Sequence, residues 1–506
     1  MMRSMLPRML AALFIIQAIV VAIPCPAAAQ SAATGTSDLA AQASDTLRVS
    51  LDDCIRRSLS VGEEVREAEA TRATAQARYV QARSTVLPQL TFNGTYTRQI
   101  TSIFGGEPSI EAFSADTTQP LEGRVRDLEQ AMPNSGFYAV SQLLSSSSFA
   151  SKNSWNAALN LRQRLFQGGS IIASIHGAHH ALLAADDNLS DQKNEVTSQA
   201  RSVYLNALLA ERGVRIATLA LDQADTQLQR ARLRQESGEA SEFELLQFEV
   251  ARDNQLPLVK AALSQRELAE LDLRRLANLP QDIPIVLTTP LLDDSSIPAN
   301  PPPVDTTGMI DDALQTSGIA ALENIVLARE QAVSVAGASY FPDVSLFGDL
   351  SQQAFPLNTL PTHDDWRRSM SVGVAASWTL FDGLNTPGMV QEAKATLSIA
   401  RQELYKAREL ARLAVVREIG ELDRATADLQ ARSHTVQLAK RALELASLRY
   451  DEGASTTLEV TSARLAWQLA QVNEAQARHD YFIALALLER FTGRPLFFGA
   501  TPASTP

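Results

Sequence analysis

The chain has 506 residues, a formal net charge of -12, 45% hydrophobic and 20% charged residues, and two cysteines. The acidic balance, with no basic run against it, excludes a nucleic-acid partner as the natural reading. Only Cys54 lies beyond the N-terminal leader, which leaves no intrachain disulfide and no zinc-finger spacing.

In chain order, the first element is a leader. Arg3 and Arg8 precede an apolar run from Met9 to Ile23, broken only by Gln17, and Ala27, Ala28 and Ala29 stand before Gln30. This pattern predicts a secretory signal peptide over 1–29, cleaved after Ala29. Cys25 raises a lipoprotein alternative, but Pro24 before it fits a lipobox poorly. No later stretch reaches the roughly 20 apolar residues of a spanning helix. A mature chain set in a membrane therefore has to span it as a β-barrel.

The first unit is expected over 30–280. Leu90, Phe92 and Tyr96 alternate with Thr91, Asn93, Thr95 and Thr97, predicting a strand at about 90–100. A Gly/Ser/Pro-rich loop follows over 101–153, and a second alternating run over 154–166 includes Trp155, Ala157, Leu159 and Leu161. Ser170 to Glu236 contains no proline in 67 residues, which predicts a helix of roughly 100 Å. The turn Ser237-Gly238-Glu239-Ala240-Ser241 leads into a second long helix. A proline-rich connection over 281–307 separates this unit from the next.

The second unit, over 308–495, repeats the first. Leu165-Phe166-Gln167-Gly168 returns as Leu380-Phe381-Asp382-Gly383, an offset of 215 residues. The same offset joins Leu233-Arg234 to Leu448-Arg449, Gly238 to Gly453, Glu244 to Glu459 and Pro280 to Pro495. Upstream, Pro88 matches Pro342 at an offset of 254, so the first copy holds about 39 extra residues, within its 101–153 loop. Alternation through Val344, Leu346 and Leu350, and from Ser371 to Leu380, predicts the second pair of strands, and Met389 to Glu452 a second long helix. The tail is 496–506. The whole is a tandem duplication of a β-hairpin followed by a long α-helical hairpin.

That order, with Leu-Phe-x-Gly before each long helix and Leu448-Arg449-Tyr450-x-x-Gly453 at the second turn, resembles the TolC-like outer-membrane efflux family. The resemblance covers Leu51 to Gly493. It implies an α+β membrane protein working as a homotrimer, with a 12-stranded β-barrel in the outer-membrane lipid continued by a periplasmic α-helical barrel. It also implies a periplasmic adaptor and an inner-membrane pump as partners, and passive gated passage with no cofactor. Independently, four strands are too few to close a barrel, for which about eight is the smallest workable number.

At the turns the resemblance implies an adaptor-docking tip containing Gly238, Ser241, Gly453 and Thr456, where the competing reading is a plain helical connection. Glu459 and Glu244 are candidates for an acidic constriction favouring cations. Both also fit a capping box with Ser241 and Thr456, and the two roles are compatible. Tyr450 matches a gate tyrosine, although its repeat counterpart is Gln235. Ser455 and Ser462 replace residues that can be arginine and acidic in the family, which weakens the expected latch. His176, His179 and His180 share helical spacing but have no further ligand beside them, so a packed or solvated face is the expectation. Trp155 and Trp378 are expected in strands, as interface anchors or packed residues, and Cys54 as a packed residue.

No Walker A loop, His-Glu-x-x-His or Gly-x-Ser-x-Gly motif occurs, so no catalytic residue is expected. The reading from another class is a periplasmic structural coiled-coil protein without a channel.

Overall fold

The computed structural model describes residues 46–100, 116–130, 132, 152–289, 291–292, 305–356 and 358–496. The leader, most of the 101–153 loop, much of the proline-rich connection and the tail lie outside these residues. The chain divides into two units. The smaller holds a short parallel ladder of β1 (Leu47–Val49) and β4 (Ile285–Leu287).

The larger unit carries two copies of one element order. The first runs α1 (Leu51–Val61), α2 (Glu63–Ser84), β2 (Gln89–Arg98), β3 (Asn153–Gln167), α3 (Ser170–Glu236), α4 (Glu242–Asp253) and α5 (Gln255–Ala277). The second runs α6 (Thr306–Ala313), α7 (Ser317–Gly337), β5 (Asp343–Ala354), β6 (Trp366–Ser377), α8 (Asn385–Asp451) and α9 (Thr457–Thr492). No helix among the described residues is long and apolar enough to cross a membrane.

The strands form one antiparallel sheet in the order β2-β3-β5-β6. Successive reversals put the β2–β3 and β5–β6 connections at one end and the helices at the other. Register places Phe92, Leu159, Leu350 and Met370 in one cross-strand row, and Leu90, Leu161, Gly348 and Val372 in the next. The opposite face carries Asn93, Asn160, Arg162, Asp349 and Ser371. One face is thus apolar and the other polar, although Phe92, Met370, Val372 and Val374 are all exposed. In a water-soluble sheet those side chains would be covered.

Some elements differ from the sequence reading. The apolar alternation runs on to Leu380, but β6 starts at Trp366 and ends at Ser377. Trp378 lies just past it, its indole donating to the Tyr340 carbonyl (3.1 Å). Hydrophobic alternation marks a face and does not say where cross-strand bonding stops. The returning arm of the first repeat is broken at Asn254, because Pro257 has no N–H for the Asp253 carbonyl. In α9 the equivalent residue is Val472, and that helix runs 36 residues unbroken. α8 begins ahead of Pro387, which fits the first turn because N–H groups there have no intrahelical acceptor.

The helices pack around α3, which meets α2, α5, α7 and α9, while α8 lies against α7 and α9. Small residues make this close packing possible: Ala200, Ala207, Ala217, Ala224 and Ala231 of α3 are all buried. Tyr204 of α3 and Phe482 and Leu485 of α9 are among the fully buried side chains. Ion pairs fix the register: Arg201 with Glu489 (2.8 Å), Arg408 with Glu323 (2.6 Å) and Arg401 with Glu330 (2.7 Å). Of the three histidines, His176 and His179 are exposed, His179 lying against Tyr79 (ring centroids 5.4 Å apart), and the half-buried His180 has its Nδ1 3.2 Å from Asn324 Oδ1.

Each β-to-α junction turns through two left-handed residues, Gly168 and Gly169 in the first repeat, Gly383 and Leu384 in the second. A Cβ on Gly168 would stand 2.3 Å from the Ala338 carbonyl oxygen, whereas one on Gly169 meets open space. Gly169→Ala should therefore lower stability by only the left-handed term, roughly 1–2 kcal/mol, and Gly168→Ala by clearly more. Thermal unfolding of the two variants checks this; equal losses would remove the close approach to Ala338 as the reason for Gly168.

Candidate functional site

The far ends of α3 and α8 are built alike. Each closes with a left-handed glycine, Gly238 (φ 80°) and Gly453 (φ 72°). The next N–H reaches back to the last helical turn: Glu239 to the Arg234 carbonyl (2.8 Å) and Ala454 to the Arg449 carbonyl (2.7 Å). This is the Schellman arrangement, in which glycine relieves the Cβ penalty and otherwise unpaired carbonyls are bonded. Neither glycine has a neighbour that a Cβ would meet, so the requirement is conformational.

The returning helices start with polar caps that differ. Ser241 and Glu244 form a reciprocal capping box: the Glu244 amide donates to Ser241 Oγ, and the Ser241 amide to the Glu244 carboxylate, both at 3.2 Å. Thr456 accepts from the Glu459 amide at 3.4 Å, but the Glu459 carboxylate accepts instead from Ser455 Oγ at 2.7 Å. The two acids hold equivalent cap positions without sharing a partner. Glu459 is exposed and Glu244 half-buried.

Tyr450 sits where the hairpins meet. It is buried with Leu228 and Ala231 of α3, Phe248 of α4 and Val460 of α9. Phe248 meets its ring edge-on at 6.0 Å, and the Arg234 guanidinium lies 5.0 Å from the ring centroid. Burial, reinforced by the Glu244 carboxylate, raises the phenol above its ordinary value of 10.0. Just below, Thr457 donates to Gln247, and Gln468 Nε2 donates to Gln255 Oε1 (3.2 Å). Arg464, also buried, has its guanidinium pKa lowered by desolvation.

Sequence reasoning picked out Tyr450 and the caps but not Arg234, Phe248 or the Gln247–Thr457 bond. The match of Leu233-Arg234 to Leu448-Arg449 was the available signal for Arg234. The others are contacts between repeats, to which an offset within the sequence is blind.

Beside this junction lies an open groove of about 430 Å³, lined by Phe243, Leu246, Val250 and Leu458. These four side chains are half to two-thirds exposed. The sheet, apolar on one face and polar on the other, thus stands at one end of the helical body and the polar-capped double turn at the other. The outer membrane efflux protein model matches residues 55–279 and 310–494, one segment in each repeat.

The chain belongs to the outer membrane efflux protein family. It is similar to outer membrane efflux protein BepC of Brucella suis biovar 1, at 24% identity over 66% of this chain and 71% of that one. It is also similar to outer membrane protein TolC of Vibrio cholerae serotype O1, at 23% identity over 67% of this chain and 76% of that one. The fold matches the open-state crystal structure of the Neisseria gonorrhoeae MtrE outer membrane channel, with a TM-score of 0.69 and 19% identity. That match covers 88% of this chain and 89% of MtrE. This efflux protein is thus an outer-membrane exit channel with a periplasmic helical part, in a family of channels rather than enzymes.

The raised phenol of Tyr450 gives a pH test. A folded value above the unfolded one contributes stability below pH about 10, which is lost as pH rises through the folded value. Melting the wild type and Tyr450→Phe between about pH 9 and 11 should show a steeper alkaline loss in the wild type. Parallel curves would mean the phenol titrates alike in both states.

Proposed function

We propose that three copies of this chain close one twelve-stranded barrel and that their helices continue it as a periplasmic tunnel. The observation that carries this is the pair of open edges. Among the described residues β2 and β6 each have one strand partner, in a sheet whose apolar face is exposed. Unpaired backbone N–H and C=O groups in lipid cost several kcal/mol each. β2 and β6 run in opposite directions, so β6 of one copy and β2 of the next can pair antiparallel, like the other ladders. In this closure the Asn93, Asn160, Arg162 and Asp349 face lines the bore.

The tip is then the gated end. Gly238, Ser241, Gly453 and Thr456 set the two turns on one ring, and the groove of Phe243, Leu246, Val250 and Leu458 beside them receives a periplasmic adaptor. An inner-membrane pump supplies energy and the duct passes cargo outward. Tyr450 acts as a clasp between the hairpins of one protomer, and Glu459, exposed beside its turn, contributes to an acidic constriction with Glu244.

Native mass spectrometry of the detergent-purified protein should find trimers, and a stable monomer with full β-content would end the shared-barrel reading. Gly453→Val should leave the trimer intact, since the left-handed penalty is only roughly 1–2 kcal/mol, yet weaken crosslinking to the adaptor and reduce export. Glu459→Gln should lower cation preference in planar-bilayer conductance more than it lowers thermal stability. Unchanged selectivity with a lower melting point would leave Glu459 only a capping role.

A further inference from the structure

The membrane-facing side of the sheet carries charge at one end only. Tyr96, Trp155, Ala354 and Trp366 form a single cross-strand row near the loop end. The Tyr96 and Trp155 rings lie tilted against each other, centroids 4.6 Å apart, and the Trp155 indole donates to the Thr359 carbonyl (2.9 Å), which fixes this aromatic row. By strand alternation Arg98 stands on the same face, one row outward on β2, and Arg368 one row inward on β6. The remaining strand cations, Arg162, Arg164 and Arg367, stand on the opposite, polar face. At the helix end of the apolar face the corresponding row is Phe166, Val344 and Ala376, without a charge.

Neither Arg98 nor Arg368 has a carboxylate partner among the described residues, and both are exposed. An arginine on a lipid face is costly at the bilayer midplane and is tolerated near the interface. Arg368 lies close enough to the aromatic row for its stem to carry the guanidinium outward. Snorkelling alone explains why each arginine is tolerated. It does not explain why both stand at the exterior end and both on edge strands. The guanidinium fork matches phosphate oxygens in a bidentate way, and the exterior leaflet is where phosphorylated glycolipids reside.

We infer that Arg368 of one copy and Arg98 of the next hold the phosphate of an outer-leaflet glycolipid at each seam of the barrel. Its acyl chains lie along the rows of Phe92, Met370 and Val372. This rests on the twelve-strand closure, which brings β6 and β2 together.

The test uses the full-length trimer in detergent, titrated with bis-phosphorylated lipid A, with the dephosphorylated lipid and with phosphatidylcholine, and read by native mass spectrometry. Lipid A should bind most tightly. The Arg98→Gln/Arg368→Gln double variant should weaken it by roughly 30-fold, the effect of two basic residues at an anionic surface. Arg162→Gln/Arg164→Gln, an equal charge change on the other face, should leave lipid A binding unchanged. Equal binding of the dephosphorylated lipid, or equal weakening by the second double variant, would overturn the site. Competition by inorganic phosphate alone at the same concentration would assign the arginines to a free anion and not to a lipid. Trimer mass and heat-modifiable β-structure are recorded for each variant. An intact barrel without lipid preference defeats this inference alone, whereas a monomer defeats the barrel and this inference together.

Discussion

A backbone hydrogen-bonding group in hydrocarbon has no water to turn to, and much of this structure follows from that. The apolar face built from Leu90, Phe92, Leu159, Leu350, Met370 and Val372 suits lipid, yet among the described residues the sheet that carries it ends in two open edges. A single copy cannot both enter the membrane and satisfy those edges. Duplication supplies four strands, an even number, so the two edges run in opposite directions and fit one another. The same duplication supplies two helical hairpins beneath each sheet, and the Gly168 approach to Ala338 ties the first repeat's β-to-α junction to the entrance of the second repeat's sheet.

The two repeats are not equivalent, and their differences fall in the returning arms, at the tip and at the β-to-α junctions. The returning arm of the first repeat is interrupted beside Pro257, while α9 is continuous. Tyr450 replaces Gln235, so only the second outward helix places an aromatic ring in the junction. Leu384 takes the left-handed position held in the first repeat by Gly169, at a local penalty of roughly 1–2 kcal/mol. Asp382 offsets part of that by accepting from the Thr386 amide (2.8 Å) and hydroxyl, bonds that depress its carboxyl pKa. A perfectly symmetric duplication would give two hairpins of equal stiffness with no preference for which moves.

Most of the scaffold was legible in the sequence for physical reasons. The bounds of α3 follow from the absence of proline and the glycines at both ends, and the turns from glycine's tolerance of positive φ. β2 and β3 follow from period-2 alternation. Legibility failed where partners come from far along the chain. Trp378 reads as a strand residue because it continues the alternation, but strand ends are set by hydrogen bonding and not by hydrophobicity. The clasp of Tyr450 with Phe248 and Arg234, and the Thr457–Gln247 bond, join residues more than 200 apart in the chain and leave no local trace. Glu459 shows the finer limit: the motif with Thr456 is the same as that of Ser241 and Glu244, and a neighbouring Ser455 diverts the carboxylate.

The contacts that hold the helical hairpins together change in kind along the helical body. Midway along α3, Tyr204 is fully buried, as are Phe482 and Leu485 of α9, and Arg201 pairs with Glu489. Burial of such side chains stabilises by about 1.5–3 kcal/mol each. At the tip the hairpins share the buried cluster of Tyr450, Leu228, Phe248 and Val460, and with it one edge-on aromatic pair, one guanidinium over a ring, and two neutral hydrogen bonds between side chains. Each of the last four contributes on the order of 0.5–1.5 kcal/mol. The tip is thus joined by burial as well as by polar contacts, while the groove of Phe243, Leu246, Val250 and Leu458 beside it stays exposed. In the proposed gating, an adaptor that parts the hairpins has to outweigh that buried cluster and not the polar contacts alone.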